Sequence, residues 1–188
     1  WNLPEGADSH WVALGDVDGD FDIDAYVTEF YGPDVPWLND GDGLFSRSAP
    51  VLDSGYGSCA LLAPLDNNGS LDLFLARHLA SNRVWFNDGA GTLSDSGQAI
   101  GLAFSRHSAA LADLDGDTDL DAFFANGSTS GDPNEVWLND GLGNFTDSGQ
   151  NLDDDYSFSV VLFLCDGDAD LDAFVGNNTG QPNRLYLN

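Results

Sequence analysis

Along this chain, short apolar runs alternate with stretches in which every second residue is an aspartate. The third copy of the pattern is the clearest. Ser108–Asp113 begins small and apolar, which suits a strand buried on both faces. An acidic loop fills Asp113–Asp121, and Ala122–Ala125 forms a second apolar run. A polar insert, Asn126–Pro133, leads into Glu135–Asn139, a strand with aromatic character. Asp140-Gly-Leu-Gly143 reads as a hairpin turn of the Asp-Gly type, and Asn144–Asp147 opens a short fourth strand. No segment sustains a helical period.

The unit repeats. The pattern D-x-D-G-D-x-D-[IL]-D-A-[FY] stands at Asp16–Tyr26 and at Asp113–Phe123, with degraded copies between and after. Aligned on the last aspartate, four copies end at Asp24, Asp72, Asp121 and Asp172, in steps of 48, 49 and 51 residues. The third strand and its turn recur as Trp37-Leu-Asn-Asp-Gly41, Trp85-Phe-Asn-Asp-Gly89, Trp137-Leu-Asn-Asp-Gly141 and Tyr186-Leu-Asn188. Four short strands in a repeat of about 40–50 residues is the signature of propeller blades. The expected fold is therefore all-β: one β-propeller domain over 1–188, with four-stranded blades near 9–56, 57–104, 105–155 and 156–188. The Trp or Tyr of each third strand is expected to pack between blades, and Asn-Asp-Gly to make the turn. The fourth copy stops at Asn188, before its outer strand. Three completions are open: Trp1–Leu3 in cis, a strand from a neighbouring subunit, or further blades of a larger propeller.

Composition narrows the function. The net charge is −27, with 32 acidic residues against five arginines (Arg47, Arg77, Arg83, Arg106, Arg184) and no lysine. A chain without a basic stripe is a poor partner for nucleic acid or an anionic membrane surface. No apolar stretch is long enough to span a bilayer. With 42 % apolar and 12 % aromatic residues, it is not a disordered acidic tail either. Sixteen of the acidic residues crowd into the four loops, where they repel one another unless a cation intervenes. The chain begins at Trp1 and holds no Met, which fits a processed, secreted product. Cys59 and Cys165 occupy different repeat positions, so two thiols are expected rather than a disulfide.

The paired motifs D-x-D-G-D-x-D-x-D-A-[FY] and W-L-N-D-G-x-G-x-F resemble the FG-GAP/VCBS repeat of integrin-like β-propellers, over all four units. The resemblance implies bladed propellers, calcium in the loop between the first two strands, and extracellular adhesive, lectin or scaffold roles. In the family pattern, side chains at loop positions 1, 3, 5 and 9 bind the ion, with the carbonyl of residue 7 between them. Carried over, repeat 1 supplies Asp16, Asp18, Asp20 and Asp24, and repeat 3 supplies Asp113, Asp115, Asp117 and Asp121. Asp22 and Asp119 contribute their carbonyls.

The residues themselves agree with a hard cation. Calcium takes six to eight oxygens, and alternate residues of a tight loop turn their carboxylates inward. An EF-hand would need helical flanks and a Glu at position 12, where this chain has Val27, Leu75, Phe124 and Val175. Magnesium, which prefers a rigid octahedral shell with several waters, suits the loops less well. Two repeats depart from the pattern, with Pro64 and Leu164 at position 1. Repeat 2 keeps Asp66, Asn68, Ser70 and Asp72, of which two are carboxylates, and repeat 4 keeps Asp166, Asp168, Asp170 and Asp172. Arg83 and Arg184 fall in these same two repeats, either standing in for missing metal or as ordinary surface residues.

No nucleophile elbow or zinc-protease motif occurs, and the clustered carboxylates are already explained by the loops, so no enzymatic activity is expected. The leading expectation is an extracellular, calcium-binding structural or adhesive module that self-associates into oligomers or filaments through its incomplete blade. The alternative is a calcium-dependent lectin, or a module for a protein ligand. Its contact loops would be the inserts Glu29–Pro36, His78–Asn82, Asn126–Asn134 and Asn177–Asn183, with Phe30 and Tyr31 able to stack on a sugar ring.

Overall fold

In the computed structural model, described for residues 8–30, 32–48, 53–54, 56–101, 106–127 and 132–188, each repeat closes on itself as one small antiparallel sheet. The first sheet runs β1 (Ser9–Gly15), β2 (Asp24–Glu29), β3 (Pro33–Asn39) and β4 (Phe45–Arg47), with β5 (Asp53–Ser54) paired to the start of β3. The second runs β6 (Gly57–Ala63), β7 (Asp72–Arg77), β8 (Arg83–Asn87) and β9 (Leu93–Asp95). The third runs β10 (Arg106–Ala112), β11 (Asp121–Asn126), β12 (Asn134–Asn139) and β13 (Phe145–Leu152). The fourth has three strands among the described residues: β14 (Ser157–Phe163), β15 (Asp172–Asn177) and β16 (Arg184–Tyr186). These are four blades of the propeller class, all-β and in simple meander order, as the repeat pattern predicts. The expectation that Trp1–Leu3 completes the last blade concerns residues outside those described.

Register explains why the sequence reads as it does. Each acidic loop joins a strand pair that ends on the position-9 aspartate: Gly15 faces Asp24, Ala63 faces Asp72, Ala112 faces Asp121 and Phe163 faces Asp172. Every first strand also shifts register near its start, as between Ser9 and Trp11 or between Ser157 and Ser159. Such a bulge adds twist, which a blade needs. The outer strand of blade 3 is longer than the expected Asn144–Asp147. It bulges after Asp147, with Gly149 at φ 77°, then pairs again at Asn151 and Leu152. Polar residues let this edge strand stay in water, so hydrophobic alternation could not mark its end.

By its internal contacts the chain divides into two compact units, Trp1–Arg77 with Asn82–Gln98, and His78–Ser81 with Ala99–Asn188. In the first unit, Tyr26 of blade 1 lies in one apolar cluster with Ala60, Leu73, Leu75 and Leu93 of blade 2, and Trp85 packs against it. In the second, Phe123, Ala125 and Val136 of blade 3 cluster with Val160, Ala173 and Val175 of blade 4, and Tyr186 packs against them. The Phe123 and Tyr186 rings lie 6.2 Å apart. Trp85 and Tyr186 thus pack between blades as expected. Trp37 is buried with the Arg47 guanidinium 5.7 Å over its ring, and the Trp137 indole donates to Glu135 at 3.3 Å. No disulfide joins the buried Cys59 and the exposed Cys165. Among the described residues no helix is long and apolar enough to cross a membrane.

Candidate metal centre

The four loops share a frame that does not depend on their centres. In each, the buried position-9 aspartate accepts two backbone N–H bonds, one per oxygen. Asp24 takes them from Val17 and Asn39, Asp72 from Leu65 and Asn87, and Asp121 from Leu114 and Asn139, all at 2.8 Å. Asp172 takes them from Cys165 at 2.8 Å and Asn188 at 3.1 Å. This carboxylate ties the loop to the end of the third strand. Burial nevertheless pushes the Asp72 and Asp121 carboxyls up from their ordinary value, against the pull of those same bonds.

Position 1 adds a second brace where it is an aspartate. Asp16 accepts from Gly19 at 2.8 Å and Phe21 at 3.0 Å, and Asp113 accepts from Gly116 at 2.7 Å and Thr118 at 3.0 Å. Pro64 and Leu164 have no carboxylate to offer there. The bends of loops 1, 2 and 3 fall at the same two places, both left-handed: Gly19 and Phe21, Asn67 and Gly69, Gly116 and Thr118. In loop 4 only Gly167 turns this way. Left-handed backbone is strained for Phe21 and more so for the β-branched Thr118.

The centres differ. In loop 1, Asp16, Asp18 and Asp24 bring carboxylate oxygens within 4.8 Å of one another; in loop 3, Asp113, Asp115 and Asp117 do so. Asp18 Oδ1 is buried with no hydrogen-bond partner. Burial, and then the neighbouring Asp24 and Asp20, hold the Asp18 carboxyl above its ordinary range. A buried carboxylate oxygen facing two others is costly without a cation, and an all-oxygen donor set selects a hard one. The residues therefore fit calcium, which would supply charge neutralisation and oxygen coordination at loops 1 and 3. Asp20 and Asp121 lie outside these two groups, and Asp20 accepts from the Asp22 N–H at 2.9 Å.

Asp22 and Asp119 turn their carboxylates over the third-strand turns: a Cβ at Gly41 or Gly141 would meet them at 2.5 and 2.4 Å. Their positive φ favours glycine, and a Cβ there would also push the carboxylate aside.

Loop 2 fills its own centre. The Asn68 amide donates to Asp66 at 3.2 Å and to the Asn87 carbonyl at 2.9 Å, while its oxygen accepts from Ser70 N–H at 2.7 Å. An amide N–H stands where loops 1 and 3 present only oxygen. Loop 4 spreads Asp166, Asp168 and Asp170 into solvent, joined by long bonds of 3.4 and 3.3 Å. The two arginines of these repeats do not enter the loops. Arg83 lies 3.8 Å from Asp95, and Arg184 lies 2.7 Å from Asp155 and 3.4 Å from Asp153, so they read as surface pairs.

Sequence reasoning assigned the Asn of W-L-N-D-G to a turn, and it does more. The Asn87 amide donates to Leu71 O at 3.0 Å and reaches back to Val17 O, inside loop 1, at 2.7 Å. Asn188 donates likewise to Leu114 O, inside loop 3, at 2.9 Å. Each of these asparagines clasps its own blade to the acidic loop of the one before. The signal was present as an Asn invariant across all four copies, where a turn alone would accept other residues. Phe30 packs between His10 and Tyr56, at 5.9 and 5.6 Å, rather than standing free for a sugar; Tyr31 lies outside the described residues.

Residues 64–124 match the family model of the FG-GAP-like repeat. The match runs from the first residue of loop 2, through loop 3, into β11, a little more than one full period. No curated protein matches the chain.

Proposed function

We propose that this chain, built on FG-GAP-type repeats, is a non-enzymatic, calcium-stabilised extracellular module with a structural or adhesive role. The observation that carries the reading is the buried, unpartnered Asp18 oxygen set among Asp16 and Asp24, with a parallel carboxylate group at Asp113, Asp115 and Asp117. Calcium held at loops 1 and 3 neutralises charge that the fold itself concentrates, and loop 4 binds more weakly through Asp166, Asp168 and Asp172. Loops of this kind suit the millimolar calcium found outside cells. Rigid blades with braced loops serve as a scaffold, and the inserts between second and third strands remain the surfaces for a protein or glycan ligand. Calcium titration by calorimetry, with thermal melting in calcium and in EGTA, tests the reading. Saturable binding with a raised melting temperature supports it, and identical melting in both buffers sinks it.

A further inference from the structure

The repeats give every residue of a blade its counterpart in the others, so the burial of one position can be compared across the chain. Val161, Phe174 and Leu185 face one another as a cross-strand row on blade 4. Ala13, Tyr26 and Pro36 form the same row on blade 1, and Ala110, Phe123 and Val136 form it on blade 3. In those two blades this row covers the next: Tyr26 sits among Ala60, Leu73 and Leu75, and Phe123 among Val160, Ala173 and Val175. The aromatic at its centre is 1 % exposed at Tyr26, 0 % at Phe74 and 2 % at Phe123, but 43 % at Phe174. Its neighbours Val161 and Leu185 are 61 % and 46 % exposed.

Blade 1 shows the opposite half. Val12 and Leu14 occupy the positions of Ala60 and Leu62, and of Val160 and Leu162, which at the two junctions take up the aromatic of the preceding blade. Here they are 55 % and 64 % exposed, while Ala25 and Trp37, which share the cross-strand row of Leu14, are covered. One blade therefore presents the covering row and another presents part of the covered row. Each continues an interface that the chain already makes twice.

We propose that these two faces bind each other between copies of this chain, blade 4 of one seating Phe174 against Val12 and Leu14 on blade 1 of the next. The contact is heterologous, so it propagates head to tail until a ring closes or a filament grows. It differs from strand donation to the edge of β16, because it uses sheet faces and leaves backbone pairing unchanged. Each copy carries −27, so the copies repel at low ionic strength, and association strengthens with salt and with bound calcium.

The test uses the whole chain with Cys165→Ser, which removes the exposed thiol. Sedimentation in calcium and 0.3 M salt, on the order of the screening needed, is compared for this chain and for Phe174→Ser, Val12→Ser and Leu142→Ser. All three sites are exposed, and Leu142 lies on the turn that follows β12, in neither row. We expect concentration-dependent oligomers whose dissociation constant rises about tenfold or more for the first two variants and is unchanged for Leu142→Ser. Chains carrying Val12→Cys and chains carrying Phe174→Cys are then mixed with a short bis-maleimide, and the mixed pair is expected to cross-link. Three results overturn the proposal: a monomer at all concentrations, cross-links between two Phe174→Cys chains, or a Val12→Cys/Phe174→Cys double variant that cross-links only within itself.

Discussion

In loop 1 and loop 2 the closing aspartate takes the same two amide bonds and the chain turns left-handed at the same two places, but the centres carry opposite chemistry. Loop 1 gathers carboxylates around an oxygen that nothing in the protein satisfies; loop 2 places the Asn68 amide against Asp66. The frame belongs to the fold, and the centre decides between metal and self-sufficiency. Loop 2, which lacks the position-1 aspartate, is held instead by the bonds of Asp72 and Asn68.

That division can be broken experimentally. Asp72→Ala removes the acceptor for two backbone N–H groups in the loop where the Asn68 amide donates to Asp66, and should cost about 3 kcal/mol, the same in calcium and in EGTA. Chemical denaturation in both buffers checks this; a loss seen only in calcium would mean that the closing aspartate acts through a metal. The double variant Pro64→Asp/Asn68→Asp should convert loop 2 into a copy of loop 1. It is expected to lower stability in EGTA by about 1–2 kcal/mol through repulsion and the lost amide bond, and to bind one further calcium by calorimetry. Thr118→Gly relieves a strained left-handed residue, and should raise stability by about 1 kcal/mol without abolishing calcium binding.

The smallest effect is with pH. Asp18, Asp72 and Asp121 are raised chiefly by burial, so the calcium-free fold binds more protons than the unfolded chain just above the ordinary carboxylate range. Stability contributed by these groups is present below their raised values and is lost as pH rises through them. Asp88 and Asp140, lowered by hydrogen bonds within their turns, act in the opposite sense but are exposed and screened. In EGTA the melting temperature should therefore fall modestly as pH rises above the ordinary carboxylate range, and calcium should remove the trend.

Much of this was legible in the sequence for identifiable reasons. The alternation of Asp16 through Asp24 and the Trp-Leu-Asn-Asp-Gly turns are local patterns, and local patterns fix blade number, strand order and loop placement. What escaped was long-range. The recurring Asn marks the position, but not that the Asn87 amide reaches Val17, 70 positions away, because only the packing of one blade on another makes that bond. Loop 2 was also opaque, because Asn68 reads equally well as a ligand or as the donor that replaces one. The extension of β13 to Leu152 depended on a bulge at Gly149 that hydrophobic alternation does not encode.

The most direct measurement is calcium stoichiometry and affinity for the intact chain beside Asp18→Asn, by calorimetry after exhaustive chelation. At least two binding events are expected for the parent and one fewer for Asp18→Asn. The variant should be as stable as the parent, or more so, in EGTA, because an amide relieves the unpartnered oxygen among its neighbours. Undiminished binding in Asp18→Asn, or no calcium uptake by either chain at millimolar calcium, would contradict calcium binding at loop 1.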